Sequence, residues 1–582
     1  MSEFKHTEWD LDAIAPAYAS DAYKQVIADI TTRIETFVSC REQLSESISI
    51  DAFVVLVKEY YAIKVTLQQI GARLYLQQSK DTSDETTKAA VATFTQWSAQ
   101  ISNKMRFFHL WFVSLSQEKA YTLAQSLGED VYQWKRRHDL GKYNLSEKEE
   151  NVMSLKDTTG SDAFISLYDS IVGSISFDLD GETLNLGQMS SRRMSPDRAI
   201  RKDAYERIKV EFNEKFPVLS EIYAAVSRDF DTETVELRKY DSVLAVRAIS
   251  EEISEESVRA MLSAVREFAP KFQSFFKLKA KLLDLPILEQ YDMFAPIGKV
   301  EKKMSFTDAM QLILNTTKEF SPEFSQIIQT LYETNHIDSV THPNKRLGAF
   351  NYMICGKGPH VFLQYLDKED DLYTLAHELG HAVHSHLSRD KSVVSHHASL
   401  GVCESVSTLF EELVFTHQLQ TLTREEKIAS LASRIQDIYS TIITQTYYTI
   451  FEEEAHKAIS EGKTASDLSA IWHSLQVERF GDSVILPDKI NGWVGIPHFY
   501  HVPFYCFNYA IGNILSLLVL HKYKKDPESV RGKIHAYLCA GGTMDTVATA
   551  KLLDIDLENP QTWKDGLSML DEYVSQLRSL VK

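Results

Sequence analysis

Glycine and proline, the residues that most often interrupt helices, are scarce in this chain. They contribute 22 and 14 of its 582 residues, which is about half of their combined average usage of about 12 %. Few such residues mean few tight turns, which favours long helices and disfavours an all-β sandwich or propeller. Since 44 % of the residues are hydrophobic and 11 % are aromatic, the chain can bury a large core and is not disordered.

The charge balance argues against a general nucleic-acid binder. The chain has 62 basic and 81 acidic residues, a net charge of −19, and no dense basic run of the kind that phosphate binding needs. The short basic spots Lys135–Arg137 and Arg192–Arg193 are interpreted as solvated surface. The strongest apolar run, Ile514–Leu520, is far shorter than the roughly 20 residues that span a bilayer. We expect neither nucleic acid nor a membrane as a partner.

The cysteines indicate a reducing compartment. They are five in number and widely separated, and no C-x-x-C pair is present, so reduced thiols are a better interpretation than a disulfide framework. The first twenty residues contain no apolar segment of the kind found in secretory signals. We expect a cytoplasmic protein.

Helical periodicity dominates the chain. Apolar side chains recur at three- and four-residue steps in Ala52–Gln78, and the pattern resumes in Ala89–Phe112 after a polar break at Asp81–Asp84. Further helix starts are expected at Ser195-Pro196-Asp197, with proline in the first turn, and at Asp370 or Asp371 as N-cap.

Two short segments alternate in the manner of strands. Ser174–Leu186 alternates around Asp180-Gly181, a strong hairpin signal. Residues 348–366 contain two β-prone runs, Phe350–Cys355 and His360–Tyr365, around a glycine-rich connection. We predict a hairpin at each place.

An apolar helical stripe that follows the second hairpin carries the spacing of metal ligands. Residues 377–381 read H-E-L-G-H, an HExxH motif. Side chains four residues apart share one face of a helix, so His377 and His381 can reach the same ion. Glu378 is rotated by about 100° from His377 and can reach a water on that ion without being a ligand. The motif predicts a zinc site with two histidine ligands and a glutamate base.

A catalytic zinc site needs a third protein ligand and one open position. Glu404 follows His381 by 23 residues, enough for a loop and a returning helix, and its apolar neighbours make an unpaired carboxylate costly. We expect Glu404 as the third ligand and Glu411 as an acceptor from a ligand imidazole, with Glu412 as the fallback ligand. His384 is interpreted as a supporting or packing residue.

The segment Ile496–Gly512 is dense in tyrosine and histidine. Aromatic packing explains such a segment on its own. A zinc peptidase, however, also needs a neutral donor for the developing oxyanion, and tyrosine or histidine can serve.

Together these motifs resemble the oligoendopeptidase F family of the thimet oligopeptidase superfamily. The resemblance rests on H-E-L-G-H followed by His384, on E-x-x-S-x-x-x-E beginning at Glu404, and on the stretches K-R-L-G-A-F and P-H-F-Y. It covers about residues 175–575, whereas the N-terminal helices match only in type. It implies a mainly α fold, a large helical shell around a deep central channel, with the hairpin beside the active-site helix and pairing with the peptide backbone. Residues 1–190 would form part of the channel wall, and residues 191–582 the zinc metallopeptidase region.

The resemblance implies a zinc-dependent endopeptidase that hydrolyses internal bonds of short unstructured oligopeptides. One Zn²⁺ per chain would be bound by His377, His381 and Glu404, and Glu378 would assist attack by a zinc-bound water. Two further roles follow less directly, because the glycine-rich segment of the thimet branch is missing here. They are an oxyanion donor, for which Tyr509 and Tyr505 compete, and a substrate-binding histidine, His498.

Two alternatives remain open from the sequence. A zinc carboxypeptidase or peptidyl-dipeptidase on the same fold would need a basic pocket near the metal for the substrate carboxylate, and Lys345 or Arg346 could supply it. The other alternative is a non-catalytic peptide-binding protein.

Overall fold

A computed structural model describes residues 3–298, 303–488 and 491–581. Within these ranges the chain forms 23 α-helices and seven short strands, which confirms the mainly α fold with small sheets. The helices are α1 (Asp21–Ser39), α2 (Ile50–Lys80), α3 (Glu85–Ser114), α4 (Gln117–Gln125), α5 (Val131–Asp139), α6 (Glu147–Asp157), α7 (Ser161–Gly173), α8 (Leu186–Arg192), α9 (Arg198–Asp231), α10 (Val243–Ser250), α11 (Glu255–Leu282), α12 (Phe306–Phe320), α13 (Pro322–Glu333), α14 (Glu369–Leu387), α15 (Leu400–Leu419), α16 (Arg424–Ile438), α17 (Gln445–Ser460), α18 (Ala465–Phe480), α19 (His498–His501), α20 (Phe507–Lys525), α21 (Pro527–Cys539), α22 (Thr546–Lys551) and α23 (Pro560–Val581). The strands are β1 (Ser176–Leu179), β2 (Glu182–Asn185), β3 (Leu288–Glu289), β4 (Ile337–Asp338), β5 (Phe350–Ile354), β6 (Gly358–Phe362) and β7 (Val484–Ile485).

The chain divides into two compact units, each built from separate stretches of sequence. The first comprises Met1–Lys142, Glu301–His417 and Lys522–Asp554. The second comprises Tyr143–Val300, Gln418–His521 and Ile555–Lys582. The boundary that the sequence predicts at residues 190/191 stays a prediction.

The first unit contains a three-stranded sheet in the order β4-β6-β5, in which β4 runs parallel and β5 antiparallel to β6. On one face of this sheet Phe350 and Tyr352 pack against Tyr75 of α2, each with ring centroids 5.4 Å apart. On α14, Ser385 accepts a hydrogen bond from the Asn351 side chain at 3.0 Å. The hairpin of β5 and β6 thus lies between the N-terminal helices and α14.

A buried ion pair fixes the base of this sheet. The Lys345 ammonium, only 2 % exposed, lies 2.6 Å from the Asp338 carboxylate. It also donates to the backbone carbonyls of Asp338, Val340 and Leu363. A buried charge is tolerated only when it is paired and hydrogen-bonded in this way, so Lys345 acts as a clamp between β4 and the chain that follows β6.

The second unit is helical apart from two two-stranded sheets among its described residues. Phe272 and Phe276 of α11 pack on Tyr439, with ring centroids 5.0 and 4.9 Å apart. The predicted Asp-Gly hairpin is confirmed as β1 and β2. Asp180 and Gly181 have φ values of 51° and 88°, the left-handed conformations that a tight hairpin turn requires.

One of the two predicted helix starts is confirmed and the other is displaced. Asp197 is the N-cap of α9 and accepts from the Ala199 N–H at 2.8 Å, so Pro196 precedes the cap and is not in the first turn. The helix α14 begins at Glu369, earlier than predicted. Its Asp371 accepts from the N–H groups of Lys368 and Leu366 at 3.0 and 2.7 Å, so it contacts the N-cap residue from the third position of the helix and is not the N-cap itself.

Within the described residues, none of the helices combines the length and the apolar character that a membrane crossing needs. All five cysteines are free thiols, as predicted.

Candidate metal centre

The helices α14 and α15 bring three potential metal ligands together. His377 and His381 lie one turn apart on α14, and the Glu404 carboxylate of α15 lies 3.4 Å from His377 Nε2 and 3.6 Å from His381 Nε2. Ligand atoms of all three residues lie within 4.8 Å of one another. Tetrahedral zinc with ligands at about 2.0–2.1 Å separates them by about 3.3–3.4 Å, so the set fits one zinc ion.

Gly380 permits the close approach of the two helices. A Cβ atom on this residue would lie 2.7 Å from Ser407 Cα and 3.0 Å from the Val406 carbonyl oxygen, both on α15. Only glycine allows two backbones to pass at this distance. The fourth residue of H-E-L-G-H therefore helps to place Glu404 beside the histidines.

Glu411 orients the first histidine. Its carboxylate lies 2.7 Å from His377 Nδ1. A proton on Nδ1 leaves the lone pair of Nε2 directed at the cluster, which is the tautomer that a metal ligand needs. Burial lowers the pKa of His377, but the hydrogen bond and charge of Glu411 outweigh it and raise the pKa to about 9. Metal binding requires the neutral imidazole and would displace the second proton of the imidazolium, the one on Nε2.

The other two potential ligands are also tuned by their surroundings. Burial raises the pKa of Glu404, against the opposing effects of His377 and of Ser407, whose hydroxyl donates to its carboxylate at 3.0 Å. Burial lowers the pKa of His381 well below its ordinary value, which keeps this imidazole neutral and able to coordinate.

Glu378 lies beside the cluster without being part of it. Its side chain is buried, and burial raises the pKa of its carboxyl to about 7. The backbone N–H of Asn351 in β5 donates to the carboxylate. The atom Oε2 is buried and has no hydrogen-bond partner in the described part of the chain. One oxygen is thus held by the hairpin, and the other can accept a proton.

The remaining acidic and histidine candidates near the motif lie outside the cluster. Glu412 is fully buried and is not a member of the three-residue group. His384 is also buried, and burial followed by the nearby His397 lowers its pKa to about 4. A neutral histidine in this position agrees with its interpretation as a packing residue.

The three candidates from the tyrosine-rich segment form a group of their own in the second unit. His498 Nε2 lies 3.2 Å from the Tyr509 hydroxyl. The Tyr505 ring lies 5.4 Å from the Tyr509 ring and 6.3 Å from the His498 ring. Burial, then the charge of His501, lowers the pKa of His498, so this side chain stays neutral at neutral pH. Both tyrosines remain candidates for the oxyanion donor.

The basic residues that a carboxypeptidase would need are engaged elsewhere. Lys345 is the buried clamp of the sheet and offers no free charge. Arg346 is exposed, donates to the Tyr75 hydroxyl at 2.6 Å and stacks over that ring at 5.1 Å.

Sequence reasoning missed two residues of this centre. For Gly380 a signal existed, since glycine inside a helix costs about 1 kcal/mol relative to alanine and suggests a packing reason. For Asn351 no signal existed, because it contributes only its backbone N–H, which any residue except proline could supply.

Comparisons with known proteins show which proteins this chain is similar to. A relative from Borreliella burgdorferi, strain B31, named oligoendopeptidase F homolog, is 22 % identical over 99 % of this chain and 98 % of its own length. A crystal structure from Chlamydophila abortus has a TM-score of 0.88 and 21 % identity, and covers 98 % of both chains. The crystal structure of oligoendopeptidase-F from Enterococcus faecium has a TM-score of 0.68 and 18 % identity, and covers 96 % of this chain and 99 % of that one. At such identities the structures show a shared fold.

The family assignment comes from the sequence model of peptidase family M3, which matches residues 192–569. The match spans more than half of the chain and includes all of α14 and α15. This chain therefore belongs to peptidase family M3.

Proposed function

We propose that this protein is a zinc-dependent endopeptidase that hydrolyses internal bonds of short unstructured oligopeptides. The proposal depends above all on one observation. His377, His381 and Glu404 converge within 4.8 Å. Beside them lies the Glu378 carboxylate, one oxygen of which has no hydrogen-bond partner among the described residues. An open zinc site with an adjacent general base needs these parts.

A zinc ion held by these three residues would supply Lewis acidity, which activates water and polarises the scissile carbonyl. Glu378 would take the proton of the attacking water on Oε2 and then deliver it to the leaving amine. Its other oxygen would stay fixed by the Asn351 N–H. Glu411 would keep the His377 ring in its coordinating orientation.

The tyrosine-rich group would act on the substrate. Tyr509 or Tyr505 would donate a hydrogen bond to the developing oxyanion, and His498 would bind the peptide. The hydrogen-bond distance between His498 and Tyr509 supports joint action of these two side chains.

The outer edge of β5 would hold the substrate backbone. In an antiparallel ladder the N–H groups point alternately toward and away from the partner strand. The N–H groups of Asn351 and Cys355 point away from β6, to Glu378 and Gln68. Met353 lies two residues from each, so its N–H and C=O also face the outer edge, where an extended peptide could add as a strand.

An enclosed channel that admits only extended chains, as the resemblance implies, would restrict the enzyme to short peptides. The name oligoendopeptidase F, carried by the Enterococcus faecium structure, supports this substrate class. Five free thiols support a cytoplasmic location.

The decisive experiment compares Glu378→Gln with the wild type. We expect wild-type protein with about one zinc to cut internal bonds of end-blocked peptides and to spare a folded protein. Glu378→Gln should keep its zinc while kcat falls about 100- to 10,000-fold, because the amide cannot take a proton. Glu425→Gln, at a side chain 79 % exposed, serves as the control.

Two results would overturn the proposal. Unchanged turnover of zinc-loaded Glu378→Gln would show that Glu378 is not the general base. Cleavage of peptides with a free C-terminus but not of end-blocked ones would indicate a carboxypeptidase instead.

A further inference from the structure

A recess in the first unit is lined by two basic side chains. It has a volume of about 410 Å³, and we call it the Lys64–Arg137 pocket. Two cations, four polar side chains and three aliphatic ones surround it: Lys64, Arg137, Tyr60, Gln68, Ser98, Ser102, Leu67, Val393 and Val394. No Asp or Glu is found among these described lining residues. The pocket is therefore suited to an anion.

Among the described side chains, neither cation has an acidic partner. In the described ranges, no carboxylate lies within 4.0 Å of the Lys64 ammonium or the Arg137 guanidinium. Both side chains are half-buried and keep part of their surface in contact with solvent. Lys64 lies 5.8 Å from the Tyr60 ring centre, and Arg137 stacks over Trp134 at 4.7 Å. Partly desolvated cations without an acidic partner are costly, and a carboxylate ligand would offset that cost.

Gln68 connects the pocket to the strand that is proposed to hold the substrate. Its side-chain oxygen accepts from the Cys355 N–H at 3.0 Å, and the neighbouring Gln69 side chain donates to the Cys355 carbonyl at 2.8 Å. These two amides occupy the position that a paired peptide strand would take at Cys355. A peptide that pairs with the outer edge of β5 can therefore continue only as far as Met353, and next to that point Gln68 lines the pocket.

The distance from Asn351 to Cys355 determines which residue of a bound peptide reaches the Lys64–Arg137 pocket. Asn351 contacts Glu378, the proposed base, and would therefore mark the level of the scissile bond. Cys355 is four residues further along, about 13 Å at the usual rise of a strand. A substrate group about four residues from the scissile bond would thus reach Gln68 and the two cations.

We propose that the Lys64–Arg137 pocket binds a carboxylate of the peptide substrate about four residues from the scissile bond. The inference rests on the proposed endopeptidase function and adds a specificity determinant to it. The carboxylate comes either from an acidic side chain or from the C-terminus of the peptide, and the pocket chemistry is the same for both.

The test uses peptides that differ in one charge. An end-blocked neutral peptide is compared with variants that carry Glu, or its neutral isostere Gln, at each position three to six residues from the cleaved bond, and with a form that has a free C-terminus. Wild-type protein should cleave one of the charged forms with kcat/KM about 10- to 100-fold above its neutral counterpart, as expected for hydrogen bonds to charged groups. Preference for a Glu variant identifies the side chain as the source, and preference for the free terminus identifies the C-terminus.

Variants of the pocket separate recognition from folding. Lys64→Gln and Arg137→Gln should each raise KM for the preferred charged peptide until the preference is lost, while the neutral peptide is cut at the wild-type rate. Lys64→Glu should reverse the preference toward a peptide with Lys at the same position. The control is Lys135→Gln, since Lys135 stacks over Tyr121 at 4.8 Å and does not line the pocket.

The pocket and the proposed function fail in different ways. Equal cleavage of charged and neutral peptides by the wild type, or a preference that survives in both pocket variants, overturns the pocket and leaves the endopeptidase intact. If no peptide is cleaved, the function fails, and fluorescence anisotropy with labelled charged and neutral peptides still decides the pocket. Equal affinity for the charged and the neutral peptide would then overturn the proposed role of the pocket.

Discussion

Gly380 of α14 lies so close to Ser407 of α15 that a Cβ atom on residue 380 would be 2.7 Å from the Ser407 Cα. The first helix supplies two candidate ligands and the second supplies one, so this contact sets the distance between them. Glycine destabilises a helix interior by about 1 kcal/mol relative to alanine. The close approach of the two helices explains why glycine stands here nonetheless.

Gly380→Ala should therefore reduce both metal affinity and stability, although alanine is the better helix former. The added methyl group pushes α15 away and carries Glu404 with it. Metal affinity is measured by competition with a chelator, and stability by the melting temperature. Gly532→Ala is the matched control, because Gly532 lies in α21 with nothing within 4 Å of its Cβ position. Wild-type affinity and melting temperature in Gly380→Ala would show that the helices tolerate a wider spacing.

Removal of the Glu411 carboxylate should weaken the metal centre without abolishing it. We expect Glu411→Ala to lower metal affinity or activity about 10- to 100-fold, the usual effect of losing a partner of a ligand imidazole. Glu411→Gln keeps an acceptor oxygen near His377 Nδ1 and should lose less. His377→Ala and Glu404→Ala should lose more, since each removes a ligand. The opposite order in a zinc titration would reassign the ligands.

Met353→Pro tests whether the outer edge of β5 binds the peptide. Proline removes the N–H that faces this edge, whereas Met353→Leu keeps it at similar side-chain volume. If backbone pairing aligns the scissile bond, Met353→Pro should lower kcat as well as raise KM, and Met353→Leu should behave like the wild type. Zinc content should be the same in both variants, because no ligand moves. Normal kinetics in Met353→Pro would exclude strand addition at this position.

His360 should make the fold sensitive to acid. It is buried beside His336 and Trp9, with ring centroids 4.5 and 6.3 Å away, and burial lowers its pKa from 6.5 to about 3. Below pH 6.5 the unfolded chain binds a proton at this residue that the folded chain does not, so the stability is lost as the pH falls from 6.5 toward 3. His360→Gln should reduce the slope of unfolding free energy against pH by up to about 1.4 kcal/mol per pH unit.

Urea unfolding of both proteins at a series of pH values below 6.5 measures these slopes. Other buried histidines, such as His384, keep their share of the acid sensitivity in the variant. Parallel curves for the two proteins would mean that His360 is protonated in the folded state.

The sequence predicts the elements whose signals are local. Periodic apolar residues locate α2 and α3, and Asp180-Gly181 locates the β1–β2 turn, because each pattern is set by neighbouring residues. The ligand spacing of His377 and His381 is equally local, since one helical turn determines it. Glu404 could be proposed as the third ligand because its sequence neighbours are apolar, and an unpaired carboxylate among them would be costly.

The rest depends on contacts between distant parts of the chain. Lys345 appears as a free cation in the sequence, and only the fold shows that Asp338 and three carbonyls enclose it. The start of α14 was displaced for a similar reason. Asp371 satisfies donors of the preceding chain, an arrangement that competes with the N-cap role its residue type suggests.

The side chains of Gln68 and Gln69 also limit strand pairing between separate copies of the protein. A strand edge with free N–H and C=O groups can add strands from other molecules and so begin domain swapping or aggregation. Strand β5 has five residues, yet Glu378 covers its outer edge at Asn351 and the two glutamines end it at Cys355. The part of the β5 edge that stays unpaired, around Met353, is shorter than the strands that form stable ladders between proteins. An edge that could hold a flexible peptide for a single turnover is thus too short to nucleate a fibre.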